Sequence, residues 1–406
     1  MSDIYQMSID ETIDDMSFED DSNEEPVFTE EMKDLSQAIL WGTDWTLETL
    51  ALQMAKGNID INPSFQRRDA WDDAKKSSLI ESLILRMPVP AITLAEKKDE
   101  RGKYLVIDGK QRLLTICQFC VQNDQFQKLK LSGLKILTAL NGKTYNDLEG
   151  PLSESKDMFD NQTLRTNIVK NWPHEPFLYT VFHRLNTGTL KLSPQELRQA
   201  LHPGDFVTFL DKATIESESF HRMLNKKSAD PRMKDVELAL RAFAWKYRFE
   251  AYRGDLKDFL DGTCEHLNEL WVTKENEIKK YFKEIENAID FTFEVFKEMA
   301  FSKPNNRRRV FNTALYEVFI YYFSIPEVRE NITNEKMDKI TEGFIRLCKD
   351  DNKFHQCISG SFKNVDNVYY RFTKIYELLV SIVDTQIPRI DMGSEGFTVV
   401  MGAANN

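Results

Sequence analysis

The sequence predicts a mixed α/β domain followed by an all-α domain. Two short apolar segments joined by a polar turn, Ala91–Glu96 and Tyr104–Ile107, have the composition of β-strands. From about residue 204 onward, apolar residues recur at three- and four-residue spacing, which indicates helices. The predicted divisions are an acidic tail at 1–34, an α/β domain at 35–205, a helical domain at 206–385 and a C-terminal tail at 386–406.

Local signals predict the helices of the α/β domain. Thr46–Lys56 and Asp72–Arg86 have amphipathic spacing, and Pro88 disfavours continuation of the second helix. A third helix is predicted over Gln111–Val121, directly after the turn that follows the second strand. Residues 123–177 show no clear pattern, so no element is predicted there.

The clearest helix signal of the chain is a capping box. Ser193 stands at the N-cap, Pro194 at the first helical position and Glu196 three residues after the cap. This arrangement predicts a helix from Pro194 to about Leu201. The helical domain then has its predicted segments near 234–249, 255–271, 274–299, 307–323, 335–349 and 364–384.

The net charge of −12 is concentrated at the N-terminus. Residues 1–34 hold thirteen Asp or Glu and one Lys, which leaves 52 acidic and 52 basic residues in the rest of the chain. Such an acidic segment predicts a disordered tail, which either aids solubility or competes with nucleic acid for a basic groove. Contact with DNA would need local clusters such as Arg67-Arg68 or Arg307–Arg309.

Composition predicts a globular cytoplasmic protein without a membrane partner. The 406 residues are 41% hydrophobic, and no apolar run reaches the roughly 20 residues of a membrane span. The acidic start lacks the apolar stretch of a signal peptide. Five cysteines do not form a disulfide framework, and the spacing of Cys117 and Cys120 in an apolar helix favours a core role over metal binding.

The best candidate for chemistry is the strand–turn–helix around residue 109. A helix N-terminus offers free N–H groups to a phosphate, and Gly109 allows a tight turn. Lys110 and Arg112 bring positive charge to the same place, and Asp108 could hold a metal ion. The alternative is an ordinary glycine turn with solvated basic residues.

Two further clusters flank this turn in the sequence. The first contains Gln66, Arg67 and Trp71, where the alternative is a tryptophan that anchors the next helix. The second is His183-Arg184-Leu185-Asn186-Thr187-Gly188, where a turn with positive φ and a core histidine are the alternatives.

Four segments in this order carry a family resemblance: PSFQRRDAW, SLIESLILRMPVPAITL, YLVIDGKQRLLTI and FHRLNTGTLKLSPQELRQAL. From about Thr46 to Phe206 the chain resembles the ParB-like family known as domain of unknown function 262, the N-terminal half of GmrSD-type type IV restriction enzymes. The resemblance implies a ParB/sulfiredoxin-like fold that binds, and in several members hydrolyses, nucleoside triphosphates. It also implies a role in defence against phage or foreign DNA.

The resemblance implies the following site. Its catalytic residues are Asp108, Gln111 and Arg112, and its nucleotide-binding residues are Gln66, Arg67, Gly109, Lys110, Arg184, Asn186, Thr187 and Gly188. Mg²⁺ is expected through Asp108, with Glu81 as an additional carboxylate for the metal or a water.

Two departures from the family pattern bear on activity. Lys110 stands where the family usually has Gln, which either strengthens phosphate binding or removes a detail of hydrolysis. The HNH nuclease run Asp-His-Ile-x-Pro of many relatives has no match, since the nearest string, Glu265-His266-Leu267-Asn268, lacks the proline. A separate nuclease or defence subunit is therefore an expected partner.

Three functions remain open at this point. The first, which the resemblance favours, is a sensor or regulatory component of a bacterial anti-phage or restriction system that binds and hydrolyses nucleoside triphosphates. The second is a non-catalytic DNA- or protein-binding module of the same fold. The third is a metal-dependent nuclease that acts through Asp108 and Glu81. The sequence also leaves a homo-oligomer open.

Overall fold

The computed structural model describes residues 38–60, 71–98, 100–121, 127–174, 177–178, 181, 193–304, 310–359, 363–394 and 396–402. These residues form two compact units. The N-terminal unit runs to Ile215 and also includes Ala229–Lys234, and the helical unit comprises Glu216–Ser228 and the residues from Asp235 onward. The division falls later than the predicted boundary after residue 205. The acidic tail at 1–34 lies outside the described residues.

A four-stranded sheet organises the N-terminal unit. Its strands are β1 (Ile39–Thr46), β2 (Ile92–Glu96), β3 (Tyr104–Asp108) and β4 (Thr163–Lys170), in the order β1-β4-β2-β3. β4 pairs antiparallel with β1 and parallel with β2, and β2 pairs antiparallel with β3. The predicted strand pair is confirmed, whereas β1 and β4 were not predicted.

The described α-helices of this unit are α1 (Leu47–Ala55), α2 (Asp73–Ile84), α3 (Lys110–Cys120), α4 (Ser153–Asn161), α5 (Pro194–Leu201) and α6 (Asp205–Glu216). Three of them, α1, α2 and α5, begin after a side chain that caps them. The Thr46 and Asp72 side chains accept the N–H groups of Thr49 and Lys75, so α1 and α2 start where the sequence predicts.

Both faces of the sheet are covered. Leu94 on β2 and Ile168 on β4 face a core that α1, α2, α3 and α4 complete. The next residue on each strand, Ala95 and Val169, faces the opposite core, which contains Leu197 of α5. Because successive strand residues point to opposite faces, this alternation fixes the register of the sheet between two helical layers.

The rest of the chain is mainly helical, as predicted. The helices are α7 (Glu218–Met223), α8 (Lys234–Arg248), α9 (Leu256–Phe296), α10 (Thr313–Phe323), α11 (Pro326–Glu330), α12 (Asn334–Asp350), α13 (Asn352–Cys357) and α14 (Val365–Val380). The two helices predicted at 255–271 and 274–299 are both present within α9 and meet at Lys274, whose φ and ψ of −128° and 22° are not helical.

Two further differences from the predictions have local causes. The helix predicted to open at Arg307 begins at Thr313, because the Asn312 side chain accepts the N–H of Leu315 at 2.9 Å and caps it there. The Arg307–Arg309 triplet lies outside the described residues. The predicted C-terminal tail contains a β-hairpin, β5 (Pro388–Gly393) and β6 (Gly396–Met401), which buries Phe397 against Phe249. The run FTVVM predicts the second of these strands, whereas the first was not predicted.

A buried charge network lies inside the helical unit. Glu317 on α10 accepts a hydrogen bond from Arg241 on α8 at 2.8 Å and another from Arg371 on α14. Arg241 also donates to Glu237 at 2.7 Å. The three central side chains are at most 2% exposed, so their charges are balanced by one another rather than by water.

Among the described residues, no helix has both the length and the apolar character that a membrane span requires.

Candidate functional site

The turn between β3 and α3 depends on Gly109. Its φ is 94°, in the left-handed region that side chains disfavour, and it stands at the N-cap of α3 without a side-chain cap. A Cβ atom here would lie 2.5 Å from Cγ2 of Ile92. The first turn of α3 therefore keeps N–H groups that no capping side chain occupies, as an anion site requires.

Gly109→Ala should lower the free energy of unfolding by about 2 kcal/mol or more, because it combines a left-handed alanine with the contact to Ile92. Gly57→Ala is the matched control, since Gly57 has a φ of 68° and nothing within 4 Å of the added atom. Its cost should be about 1 kcal/mol. Urea denaturation of both variants measures the difference, and equal losses would contradict the close contact.

Asp108 and Arg112 form an ion pair across the turn. Arg112 Nη2 donates to Asp108 Oδ2 at 3.0 Å and to the Ala91 carbonyl at 3.1 Å. Asp108 Oδ1 accepts the N–H of Gly109 at 2.7 Å. Among the described residues, Gln111 Oε1 and Arg112 Nε are buried without a hydrogen-bond partner. Because such atoms are normally satisfied, their presence at the first turn of α3 suggests a ligand.

Lys110 is held by a carboxylate from a distant part of the chain. Its Nζ lies 2.5 Å from Glu196 Oε1, and the two side chains are 6% and 7% exposed. The other oxygen, Glu196 Oε2, accepts the N–H of Ser193 at 2.7 Å, while Ser193 Oγ accepts the N–H of Glu196 at 3.1 Å. The capping box is therefore confirmed, and Glu196 also neutralises Lys110, which the sequence reasoning missed.

A small cavity of about 80 Å³ lies against this ion pair. Its lining residues are Asp60, Lys97, Leu105, Val106, Lys110, Glu196, Gln199, Ala200, Pro203, Gly204, Val207 and Thr208. Asp60 directly precedes the segment with Gln66 and Arg67, and Glu196 follows the segment with Arg184 and Asn186. Asp60, Lys110 and Glu196, which lie in or near the three clusters in the sequence, thus line the same cavity.

Six predicted site residues cannot be assessed from the structure. Gln66, Arg67, Arg184, Asn186, Thr187 and Gly188 lie outside the described residues, and their roles in nucleotide binding stay predictions. Of the remaining predicted residues, the structure brings Asp108, Gly109, Lys110, Gln111 and Arg112 together on one turn.

Glu81 has a structural role in the segment between α3 and α4. Its Oε1 accepts the N–H groups of Ile136 and Leu137 at 2.8 and 2.7 Å, and the residue is 8% exposed. Within the described part of the chain, no group of three or more His, Cys, Asp or Glu side chains could hold a metal ion. The predicted metal role of Glu81 therefore stays a prediction.

Cys117 and Cys120 lie in the core, as their spacing predicts. Both are free and buried on α3. Burial raises the pKa of the Cys117 thiol to about 12 and raises that of Cys120 further. Neither is a reactive thiolate at neutral pH, because the thiolate form needs a lowered pKa.

The fold and the turn define an α/β domain with a glycine turn at the N-terminus of α3, and a comparison with known families adds to this description. Residues 47–203 match the family model of the GmrSD restriction endonuclease N-terminal domain. This match covers 157 of the 406 residues and agrees with the resemblance drawn from the four sequence segments. The match contains β2, β3, β4 and the helices α1 to α5. No curated protein and no solved structure matches the chain significantly.

Proposed function

We propose that the N-terminal unit binds a nucleoside triphosphate at the first turn of α3, and that the chain is a nucleotide-dependent component of a DNA-restriction or anti-phage system. The restriction role comes from the family whose model residues 47–203 match. Nucleotide binding is supported by the N-terminus of α3, where, among the described residues, no side chain caps the helix and the donor Arg112 Nε is buried without a hydrogen-bond partner. On this proposal the domain has the ParB/sulfiredoxin-like arrangement that the resemblance implies.

The charges around the turn suit a triphosphate with Mg²⁺. Each oxygen of Asp108 accepts one hydrogen bond, from Gly109 or Arg112, and so keeps capacity for a further ligand. Mg²⁺ in nucleotide sites is commonly held by one or two carboxylates together with the phosphates, which fits Asp108. Glu81 fits less well, because its Oε1 already accepts two backbone N–H groups. The bound metal would neutralise phosphate charge, while Arg112 would orient the phosphates.

Phosphate release from ATP, GTP, CTP and UTP with Mg²⁺ tests the proposal. Asp108→Ala and Arg112→Ala should abolish release, and Arg112→Ala should weaken nucleotide binding by about tenfold or more, since bonds to charged groups are strong. Arg165→Ala is the matched control: it removes an arginine of the same domain whose ion pair with Asp44 is more than half exposed. The control should bind and release phosphate like the unaltered chain.

The outcomes separate the three functions that the sequence leaves open. Binding without release, lost in Arg112→Ala, would support a nucleotide-gated module. The pairing of Lys110 with Glu196, at a position where the family usually has Gln, favours this second candidate. Nicking of supercoiled DNA that requires a divalent metal and Asp108 would instead indicate a nuclease. Neither binding nor release of any nucleotide would contradict the proposal.

A further inference from the structure

The cavity beside Lys110 contains two cations that are already paired. Lys110 lies 2.5 Å from Glu196, and Lys97 Nζ lies 3.5 Å from Glu100. Neither charge needs a ligand anion to balance it, and the carboxylate of Glu196 would repel one. The cavity is therefore a poor place for a phosphate group, although it adjoins the helix end that suits one.

Two groups that line the cavity lack a hydrogen-bond donor among the described residues. Among the described residues, Gln199 Oε1 is buried without a hydrogen-bond partner on α5. The carboxylate of Asp60, an exposed residue, lines the same cavity and accepts no hydrogen bond from a described residue, while its backbone N–H donates to the Tyr104 carbonyl at 3.4 Å. A ligand that fits this cavity must therefore supply hydrogen-bond donors.

We infer that this cavity receives the ribose hydroxyl groups of the nucleotide, with Asp60 and Gln199 as the residues that select a ribonucleotide over a deoxyribonucleotide. Lys110 connects the proposed phosphate site with the cavity, because it is the first residue of α3 and its side chain lines the cavity. A volume of about 80 Å³ suits the hydroxyl edge of a sugar better than a planar base. Carboxylates bind ribose hydroxyls in the same way in dinucleotide sites. This inference rests on the proposed nucleotide site.

The expected result is a preference for ribonucleotides. The ribonucleoside triphosphate that binds best should bind about ten- to hundredfold more tightly than its 2′-deoxy or 3′-deoxy counterpart, because the missing hydroxyl leaves a buried acceptor unpaired. Gln199→Ala and Asp60→Ala should each reduce this preference, mainly by lowering the affinity for the ribonucleotide. Gln199→Glu keeps an acceptor oxygen at the same position and should retain the preference.

Calorimetric titration of the full chain with the four ribonucleoside triphosphates, their deoxy counterparts and inorganic tripolyphosphate tests the inference. Tripolyphosphate contains no sugar, so its affinity should fall in Arg112→Ala and stay unchanged in Gln199→Ala. The matched control is Gln162→Ala, which removes a glutamine of the same unit whose Nε2 donates to the Thr163 carbonyl outside the cavity. Thermal melts establish that each variant is folded.

Two results would overturn the inference. If the chain binds tripolyphosphate and nucleotides but does not distinguish ribose from deoxyribose, the ribose site is wrong and the phosphate site stands. If Gln199→Ala lowers the affinity for tripolyphosphate as much as the affinity for the ribonucleotide, Gln199 contacts the phosphates and not the sugar. A chain that binds neither tripolyphosphate nor any nucleotide would contradict the proposed function as well.

Discussion

Glu317→Gln should lower the stability of the helical unit by roughly 3–5 kcal/mol, the usual cost of removing one member of a buried ion pair. Glu317 balances Arg241 and Arg371, which are each 1% exposed. Glutamine has nearly the same shape but no charge, so two buried guanidinium groups lose a shared partner. Arg241 keeps its bond to Glu237, which should limit the loss at that arginine.

Denaturant titration followed by tryptophan fluorescence measures this effect, because Trp245 lies in the same core and packs against Phe372 at 5.4 Å. Glu335→Gln is the control: the same change at an exposed ion pair with Lys339 should leave the unfolding midpoint unchanged. A Glu317→Gln variant as stable as this control would mean that water or rearrangement satisfies the two arginines, and that the network is not a closed one.

The second large effect is expected at the Lys110–Glu196 pair. Glu196→Gln keeps the capping box, because glutamine at this position can still accept the N–H of Ser193. It leaves the buried Lys110 ammonium without its carboxylate, which should destabilise the N-terminal unit by roughly 3–5 kcal/mol. Chemical denaturation of the full chain would measure the loss.

The double variant Lys110→Gln with Glu196→Gln distinguishes a charge effect from a packing effect. It removes both charges and puts at position 110 the residue that the family usually has, so most of the lost stability should return. A double-mutant cycle would then give a large coupling energy between the two positions. Additive losses would show that the two side chains act independently, which their distance of 2.5 Å does not favour.

What could be predicted from the sequence is mainly local. The capping box at Ser193, the caps of α1 and α2, and the strand–turn–helix at Gly109 each depend on residues a few positions apart. Such signals operate through one or two hydrogen bonds, so they survive in any fold that contains the segment. The five residues of the central turn could be assigned to one place for the same reason.

The elements that were missed depend on distant partners. β1 exposes most of its residues and becomes a strand by pairing with β4, more than a hundred positions later in the chain. Glu196 and Lys110 are separated by 86 positions, so no local pattern links them. The hydrogen bonds of Glu81 to Ile136 and Leu137 span 55 and 56 positions, so its structural role could not be predicted from a local pattern. Such long-range pairs cannot be predicted from a short segment of sequence.

The segment Ala229–Lys234 belongs to the N-terminal unit, although residues of the helical unit precede it in the chain. This arrangement restricts where a gene fusion could separate the N-terminal unit from the rest of the chain. Ser193 Oγ donates to the Arg232 carbonyl at 2.6 Å, and the Asp230 side chain accepts the N–H groups of Arg232 and Lys234. A gene rearrangement that joined residues up to Ile215 to a different C-terminal half would omit this segment, and the helix that carries Glu196 would lose an anchor. A transferable module must therefore extend through Lys234, beyond the end of the family match at residue 203.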